Sequence, residues 1–305
     1  MAGIIFNPEN DIPDLSGKVI FITGGTAGIG SASVLALAKH NPSHIYFSGR
    51  NAQTAASLID TIKASVPSAN ITFLECDLAS LASVKAAAQK FSSPRLDILI
   101  CNAGIMAASP DLTKDGYEIQ FGTNHLGHAL LIKLLLPTLV QTAELPGSDV
   151  RIIMLTSQGF RMHPAGGIVF KDLRTVQDTA FFSGWRCYAQ SKLANILYAN
   201  ELARRYPKIT AVSIHPGVVS TGMVGNLGLA NWLLVYVTQL GRLKTPAEGA
   251  YNQLWAATGK RGEGGVVSGG YYEPVGVVGT KHREAGNGKL AEELWEWTQG
   301  ELEAY

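Results

Sequence analysis

Tyr188 and Lys192 stand four residues apart within Trp185 to Arg205, where apolar residues recur at helical period, so their side chains share one helix face. A free phenol has a pKa of ~10 and exchanges protons sluggishly near neutrality, but a neighbouring ammonium stabilises phenolate and lowers that value. Such a pair can perform acid–base chemistry at Tyr188. Two residues that merely share a helix face look the same, so the pair gains weight only from other motifs.

A second constellation begins where the apolar run Lys18 to Ile22 meets Thr23-Gly24-Gly25-Thr26-Ala27-Gly28-Ile29-Gly30 and a helical pattern follows. A strand-to-helix turn without side chains lets backbone N–H groups approach a pyrophosphate, and the helix N-terminus adds partial positive charge. Gly24, Gly28 and Gly30 are the expected cradle; glycines of an ordinary tight turn are the plainer alternative. Twenty residues beyond Gly30, where such a site usually offers an acid to the ribose 2′-hydroxyl, the chain has Ser48-Gly49-Arg50-Asn51. A guanidinium suits a 2′-phosphate by charge and forked geometry, which predicts NADP(H) rather than NAD unless Arg50 is simply a surface cation. His125 and His128, three apart on a helical segment, have no convincing third ligand nearby, so no metal is expected. His215 and Cys187 read as packing residues.

These groups require a scaffold, and the sequence outlines one. Short apolar runs at Lys18 to Ile22, His44 to Ser48, Asn70 to Glu75, Leu96 to Ile100, Val150 to Leu155 and Ile209 to Ile214 alternate with helical segments, the first being Ser31 to Lys39. Strands without polar alternation are covered on both faces by crossover helices, which predicts a doubly wound, parallel α/β fold. The 305 residues are 46% hydrophobic and 16% charged, with no repeat and no long linker before Gly222, so one domain is expected. Gly262 to Gly279 reads as loop, short strand and loop. Lys and Arg exceed Asp and Glu by 25 to 24, a balance without the electrostatic footprint of a nucleic-acid or membrane-surface binder. The longest apolar stretch, Leu227 to Leu240, is interrupted by Gly228 and Asn231 and is shorter than the ~20 residues of a membrane span. No transmembrane segment is therefore expected. Three cysteines without C-x-x-C spacing, and a start lacking the basic and apolar regions of a signal peptide, predict a cytoplasmic protein.

Taken together and in this order, the motifs resemble the short-chain dehydrogenase/reductase superfamily over about residues 18 to 274. The glycine turn, Asn102-Ala103-Gly104, Tyr188-x-x-x-Lys192, Asp77, Asn124, Ser157 and Pro216-Gly217 carry the resemblance. Within it, Asn124-His125-Leu126-Gly127-His128, Ser191-Lys192-Leu193-Ala194-Asn195 and His215-Pro216-Gly217-Val218 look most like the retinol-dehydrogenase-like group. The resemblance implies a single-domain Rossmann fold with a mainly seven-stranded parallel sheet. It implies that Tyr188 gives a proton to a carbonyl oxygen, that Ser157 polarises that oxygen, and that Lys192 binds nicotinamide-ribose hydroxyls. Asn124, at a helix bend, would hold a water that replenishes the proton through Lys192. Cofactor contacts are implied at Gly24, Thr26, Ala27, Gly28, Ile29, Gly30, Arg50, Asn51, Asp77, Leu78, Asn102, Ala103, Gly104, Pro216, Gly217, Val219 and Thr221. Ser157 lies 31 residues before Tyr188, wider than the superfamily's usual dozen, so an inserted excursion is expected between them and Thr156 is the fallback hydroxyl.

The expected layout is an N-terminal arm over 1–17, a reductase domain over 18–286 with a substrate lid at about 222–243, and a helical extension over 287–305. Phe160, Met223 and Trp232 are the expected substrate-wall residues, and the lid's apolarity predicts a lipophilic ketone, aldehyde or quinone-like substrate. Homodimerisation through helices is common in the family, although the C-terminal extension could cover the same surface. The expected activity is NADPH-dependent carbonyl reduction, reversible to alcohol oxidation. The alternatives are a non-catalytic NADP-binding sensor or scaffold, which an intact Ser, Tyr and Lys set opposes, and a dehydratase or isomerase using the same tyrosine.

Overall fold

The computed structural model describes residues 3–178, 183–220, 243–280 and 282–305. A short helix α1 (Pro8–Asp11) precedes β1 (Val19–Thr23), and then α2 (Gly28–Ala38), β2 (His44–Gly49), α3 (Ala52–Ser65), β3 (Ile71–Glu75), α4 (Leu81–Gln89) and β4 (Ile98–Cys101) follow in strict alternation. A long helix α5 (Ile119–Ala143) leads to β5 (Val150–Leu155). After the excursion come α6 (Ser183–Arg205), β6 (Ile209–Ile214), α7 (Pro246–Thr258), β7 (Tyr271–Glu273), β8 (Val277–Val278) and α8 (Gly288–Glu301).

The strands form one sheet in the order β3-β2-β1-β4-β5-β6-β7-β8, parallel throughout except for the β7–β8 pair. The sheet is thus the expected seven parallel strands plus a two-residue antiparallel edge. Gly276, at φ +66, turns the chain between β7 and β8, so the glycine-rich segment holds two strands where one was expected. All five residues of β1 are buried, with Phe21 in the core on one face of the sheet and Ile20 and Ile22 in the core on the other. Each such side chain contributes ~1.5–3 kcal/mol on burial, which is why the central strands are continuous apolar runs. The first core joins the sheet to α4, α5, α6 and α8; the second joins it to α2, α3 and α7. The N-terminal arm is not free: Phe6, Ile12 and Leu15 are buried in the second core.

Two features fix the sheet where the site forms. Asp97, wholly buried, accepts from the Val19 N–H at 2.9 Å and from both Arg95 nitrogens at 2.7 Å, with Lys18 at 3.2 Å, so the starts of β1 and β4 are locked together. The strand order reverses between β1 and β4, which opens a crevice at their carboxyl ends. Among the described residues, α5 is the one helix long and apolar enough to cross a membrane, but 56% of its apolar window is buried inside the protein, as in a core helix.

Candidate active site

The glycine turn lies at the end of β1, in that crevice. Gly24 and Gly28 have φ of +66 and +57, a backbone that side-chain-bearing residues rarely adopt. A Cβ on Gly24 would stand 2.9 Å from the Ala103 Cβ, and one on Gly30 would stand 2.1 Å from the Gly24 carbonyl oxygen. The turn is therefore closed to any larger residue. Helix α2 starts at Gly28 after an extended Ala27 whose side chain offers no cap, so its first N–H groups point unpaired toward the crevice. Uncapped N–H groups, a cradle without side chains and a helix dipole fit the diphosphate of a dinucleotide. Thr26 packs on Gly49, where a Cβ would lie 2.7 Å from Thr26 Oγ1, and Ile29 meets Val219 beside Gly249 of α7.

A buried hydrogen-bond chain ties this turn to the next strand. Thr23 Oγ1 accepts from the Asn102 and Ala103 N–H groups at 3.0 and 3.1 Å, and the Asn102 amide donates to the Thr23 carbonyl at 2.9 Å. His128 completes the chain. Its Nδ1 lies 3.0 Å from the Asn124 carbonyl, which makes Nδ1 the donor and leaves Nε2 to accept from the Thr23 hydroxyl at 2.8 Å. Burial pulls the His128 pKa down to about 4, so the ring is neutral, as this arrangement requires. His125 sends its Nε2 to Thr298 Oγ1 at 3.0 Å instead, so the two imidazoles do not share a ligand position.

Asn124 sits in a π-turn, Gly122–Leu126, that widens α5 at this point. Its side chain pairs with both backbone groups of Ile105, accepting at 2.8 Å and donating at 2.9 Å, and also donates to Ser191 Oγ at 2.9 Å. Ser191 in turn donates to the Tyr188 carbonyl at 2.7 Å. The same asparagine thus ties the Asn102-Ala103-Gly104 loop to the helix bearing Tyr188. A Cβ on Gly104 would fall 2.9 Å from Asn124 Oδ1 and 3.3 Å from Lys192 Nζ, so only glycine lets these groups approach.

Tyr188, Lys192 and Ser157 come together at the mouth of the crevice. Ser157 lies beside the Tyr188 ring: a Cβ on Gly159 would stand 3.3 Å from both Ser157 Oγ and Tyr188 Cε1. Lys192 Nζ lies 5.7 Å from the Tyr188 ring centre and donates to the Leu155 carbonyl at 3.2 Å. Burial dominates both groups: the phenol is pushed up to about 12, with Ser157 pulling it partly back, and the ammonium is pulled down to about 8. The protein alone therefore keeps Tyr188 protonated, rather than acidifying it through Lys192 as the spacing suggests. Thr156, the fallback hydroxyl, is committed elsewhere: it donates to the Lys192 carbonyl at 2.7 Å.

At the far side of the crevice, Arg50 is exposed at the end of β2 and has no ion pair or hydrogen bond among the described residues. Asn51 caps α3, its side-chain oxygen accepting from the Thr54 N–H at 2.9 Å. Asp77 accepts from the Ala79 N–H at 3.1 Å and pairs with Lys114 at 3.4 Å, while Leu78 is buried against Gly127. Pro216 and Gly217 follow β6. Gly217 has φ +88 and packs against Lys244, whose strand-like pairing with Val219 closes this loop. Thr221, Met223, Trp232 and the lid at 222–242 lie outside the described residues.

Phe160 differs from expectation. It is wholly buried, edge-on to the Tyr271 and His282 rings, and presents no surface to the crevice. The large apolar ring that marks it as a substrate wall in the sequence also suits it to pinning the excursion to the sheet. His215 and Cys187 are buried, and burial pulls His215 down to about 3 and pushes Cys187 up to about 12, so neither is poised to exchange protons. Gly159, Ser191 and His128 have no assigned role in the sequence reading, although all adjoin its motifs.

This site and sheet match a known family. The short chain dehydrogenase model covers residues 18–171, and the chain belongs to that family of oxidoreductases, whose members bind NAD(P). An uncharacterized oxidoreductase of Schizosaccharomyces pombe is 40% identical, covering 95% of this chain and 86% of its own. Human polyprenol dehydrogenase is 35% identical, covering 95% and 85%. A blue fluorescent protein from a metagenomic library, solved in complex with NADPH, is 27% identical with a TM-score of 0.64, covering 86% of this chain and 98% of its own.

Proposed function

We propose that this enzyme reduces a lipophilic ketone, aldehyde or quinone-like carbonyl to the alcohol with NADPH. The observation that carries the reading is the buried Tyr188 phenol, held protonated beside Ser157 with Lys192 one helical turn away. NADPH, when bound, supplies the hydride that goes to the carbonyl carbon. The chain's own groups handle the oxygen. Ser157 donates a hydrogen bond to it, and Tyr188 gives up its proton as negative charge develops there. Lys192 stabilises the phenolate that remains, since an ammonium beside a phenoxide favours the charged form. Asn124 holds this helix against the Gly104 loop and, with Lys192, carries the route by which the proton is restored.

The glycine turn, Asn102 to Gly104 and the Pro216 to Thr221 loop hold the dinucleotide; Asp77 and Leu78 flank its adenine. Arg50, exposed and without an ion pair, receives the 2′-phosphate, with Asn51 beside it; the metagenomic relative's complex with NADPH supports that preference. An apolar lid and a relative named polyprenol dehydrogenase support a lipophilic substrate. The test is NADPH oxidation across a panel of aliphatic, aromatic and isoprenoid carbonyls. Turnover with lipophilic members is expected; cofactor binding with no turnover on any of them would favour the sensor reading.

A further inference from the structure

A second constellation lies outside the crevice, built from segments far apart in sequence. The excursion after Ser157 makes a tight 3-10 turn, Gln158–Met162, and delivers His163. The segment leading into α8 brings His282 and Glu284 beside it, the two histidines standing 119 positions apart in the chain. One donor atom from each of the three lies within 4.8 Å of the others. Glu284 Oε2 is 3.3 Å from His282 Nδ1 and 3.7 Å from His163 Nε2.

The unpartnered nitrogens suit a cation. His163 Nδ1 lies 2.7 Å from the Pro164 carbonyl and must donate to it, which leaves the Nε2 lone pair facing the cluster. Both His163 Nε2 and His282 Nδ1 are buried without a hydrogen-bond partner. The two rings pack edge-on with centres 5.1 Å apart. A backbone carbonyl fixing one imidazole's tautomer, with its other nitrogen free, is the usual support for a metal-binding histidine. Ligands about 2.0–2.1 Å from a tetrahedral zinc stand roughly 3.3 Å apart, close to the two carboxylate–imidazole distances here.

We propose that His163, His282 and Glu284 bind one zinc-class divalent transition-metal ion. Two nitrogens and one carboxylate oxygen suit that class, and three protein ligands leave a fourth position for water. The site shares no residue with Tyr188, Lys192 or Ser157. Its work is to staple the excursion to the C-terminal segment: Phe160, three residues before His163, already packs on the His282 ring. Closing so long a loop restricts the unfolded chain and stabilises the fold.

The test is calorimetric titration of chelator-treated protein with zinc chloride, alongside thermal unfolding with and without zinc and the absorption spectrum after loading with cobalt(II). One-to-one saturable binding, a higher unfolding temperature and a tetrahedral cobalt spectrum are expected. Glu284→Gln keeps the shape of the site and should weaken zinc at least ~tenfold, and His163→Asn with His282→Asn should abolish saturable binding. His44→Asn, which alters a histidine on β2, should bind as the native protein does. No saturable binding by the native protein, or equal affinity in the double variant, would overturn the proposal. None of these readouts depends on turnover.

Discussion

Arg50 and Asp77 illustrate how much one side chain can decide. Both stand at strand ends beside the crevice, yet Asp77 is engaged by Lys114 and the Ala79 N–H, while Arg50 has no ionic partner among the described residues. Arg50→Asp should therefore weaken NADPH at least ~tenfold, the loss of one charge-assisted contact and its replacement by repulsion, while NADH binding holds or improves. Fluorescence titration of both cofactors checks this; unchanged preference would remove Arg50 from the role. At this scale the sequence was legible wherever a motif fixes a backbone. Glycines that must adopt positive φ, and a tyrosine and lysine four apart, are local facts. The burial that holds the Tyr188 phenol up near 12 is not local, and spacing alone suggested the opposite direction.

Elements were legible in proportion to their periodicity. Val150–Leu155 and Ile209–Ile214 coincide with the expected strands because each is a short, wholly buried run bounded by polar residues. Helix α2 starts at Gly28 rather than Ser31 because glycines carry no hydrophobic signal. The π-turn in α5 was visible only through the family's helix bend, since an extra residue per turn leaves no compositional mark. That turn and the residues just after it hold two buried histidines, His125 and His128, whose stability effect has a definite sign. Burial depresses His128 to about 4 and His125 to about 3 in the folded chain, below the ordinary ~6.5 of the unfolded one. Their contribution is intact above pH ~6.5 and is lost as the solution is acidified toward those folded values, because the unfolded state takes up protons first. Urea unfolding at pH 7 and pH 5 should show lower stability at pH 5, by on the order of 1–2 kcal/mol per histidine. His128→Phe should lower stability at pH 7 by about 2 kcal/mol, since Thr23 loses its acceptor, and should flatten the acid dependence. Stability equal at the two pH values would contradict this account.

At the scale of the whole molecule, α8 covers helices that the sequence left open as a pairing surface. Trp295 stacks on Tyr198 of α6 at 5.0 Å, Trp297 packs edge-on to Phe121 of α5, and Lys133 of α5 donates to the Leu302 carbonyl at 2.5 Å. The extension thus lies across α5 and α6. A monomer is expected by light scattering after size exclusion. Removing residues 287–305 should expose the apolar partners of Leu290, Leu294 and Trp295 and yield dimers or larger species. A stable dimer of the full chain would show that another surface serves. A doubly wound parallel sheet covered on both faces was foreseeable from alternating apolar runs. What covers α5 and α6, and what meets His163 from 119 positions away, depends on tertiary contacts that no local pattern records.

The most direct measurement of the central claim is the rate of NADPH oxidation under single-turnover conditions in native protein and in Tyr188→Phe, with cofactor binding followed in parallel. With the proton donor removed and the ring retained, the rate should fall by at least ~10²–10⁴, the usual worth of general acid catalysis, while NADPH affinity stays within a few fold. A Tyr188→Phe enzyme that turns over at the native rate would contradict the account.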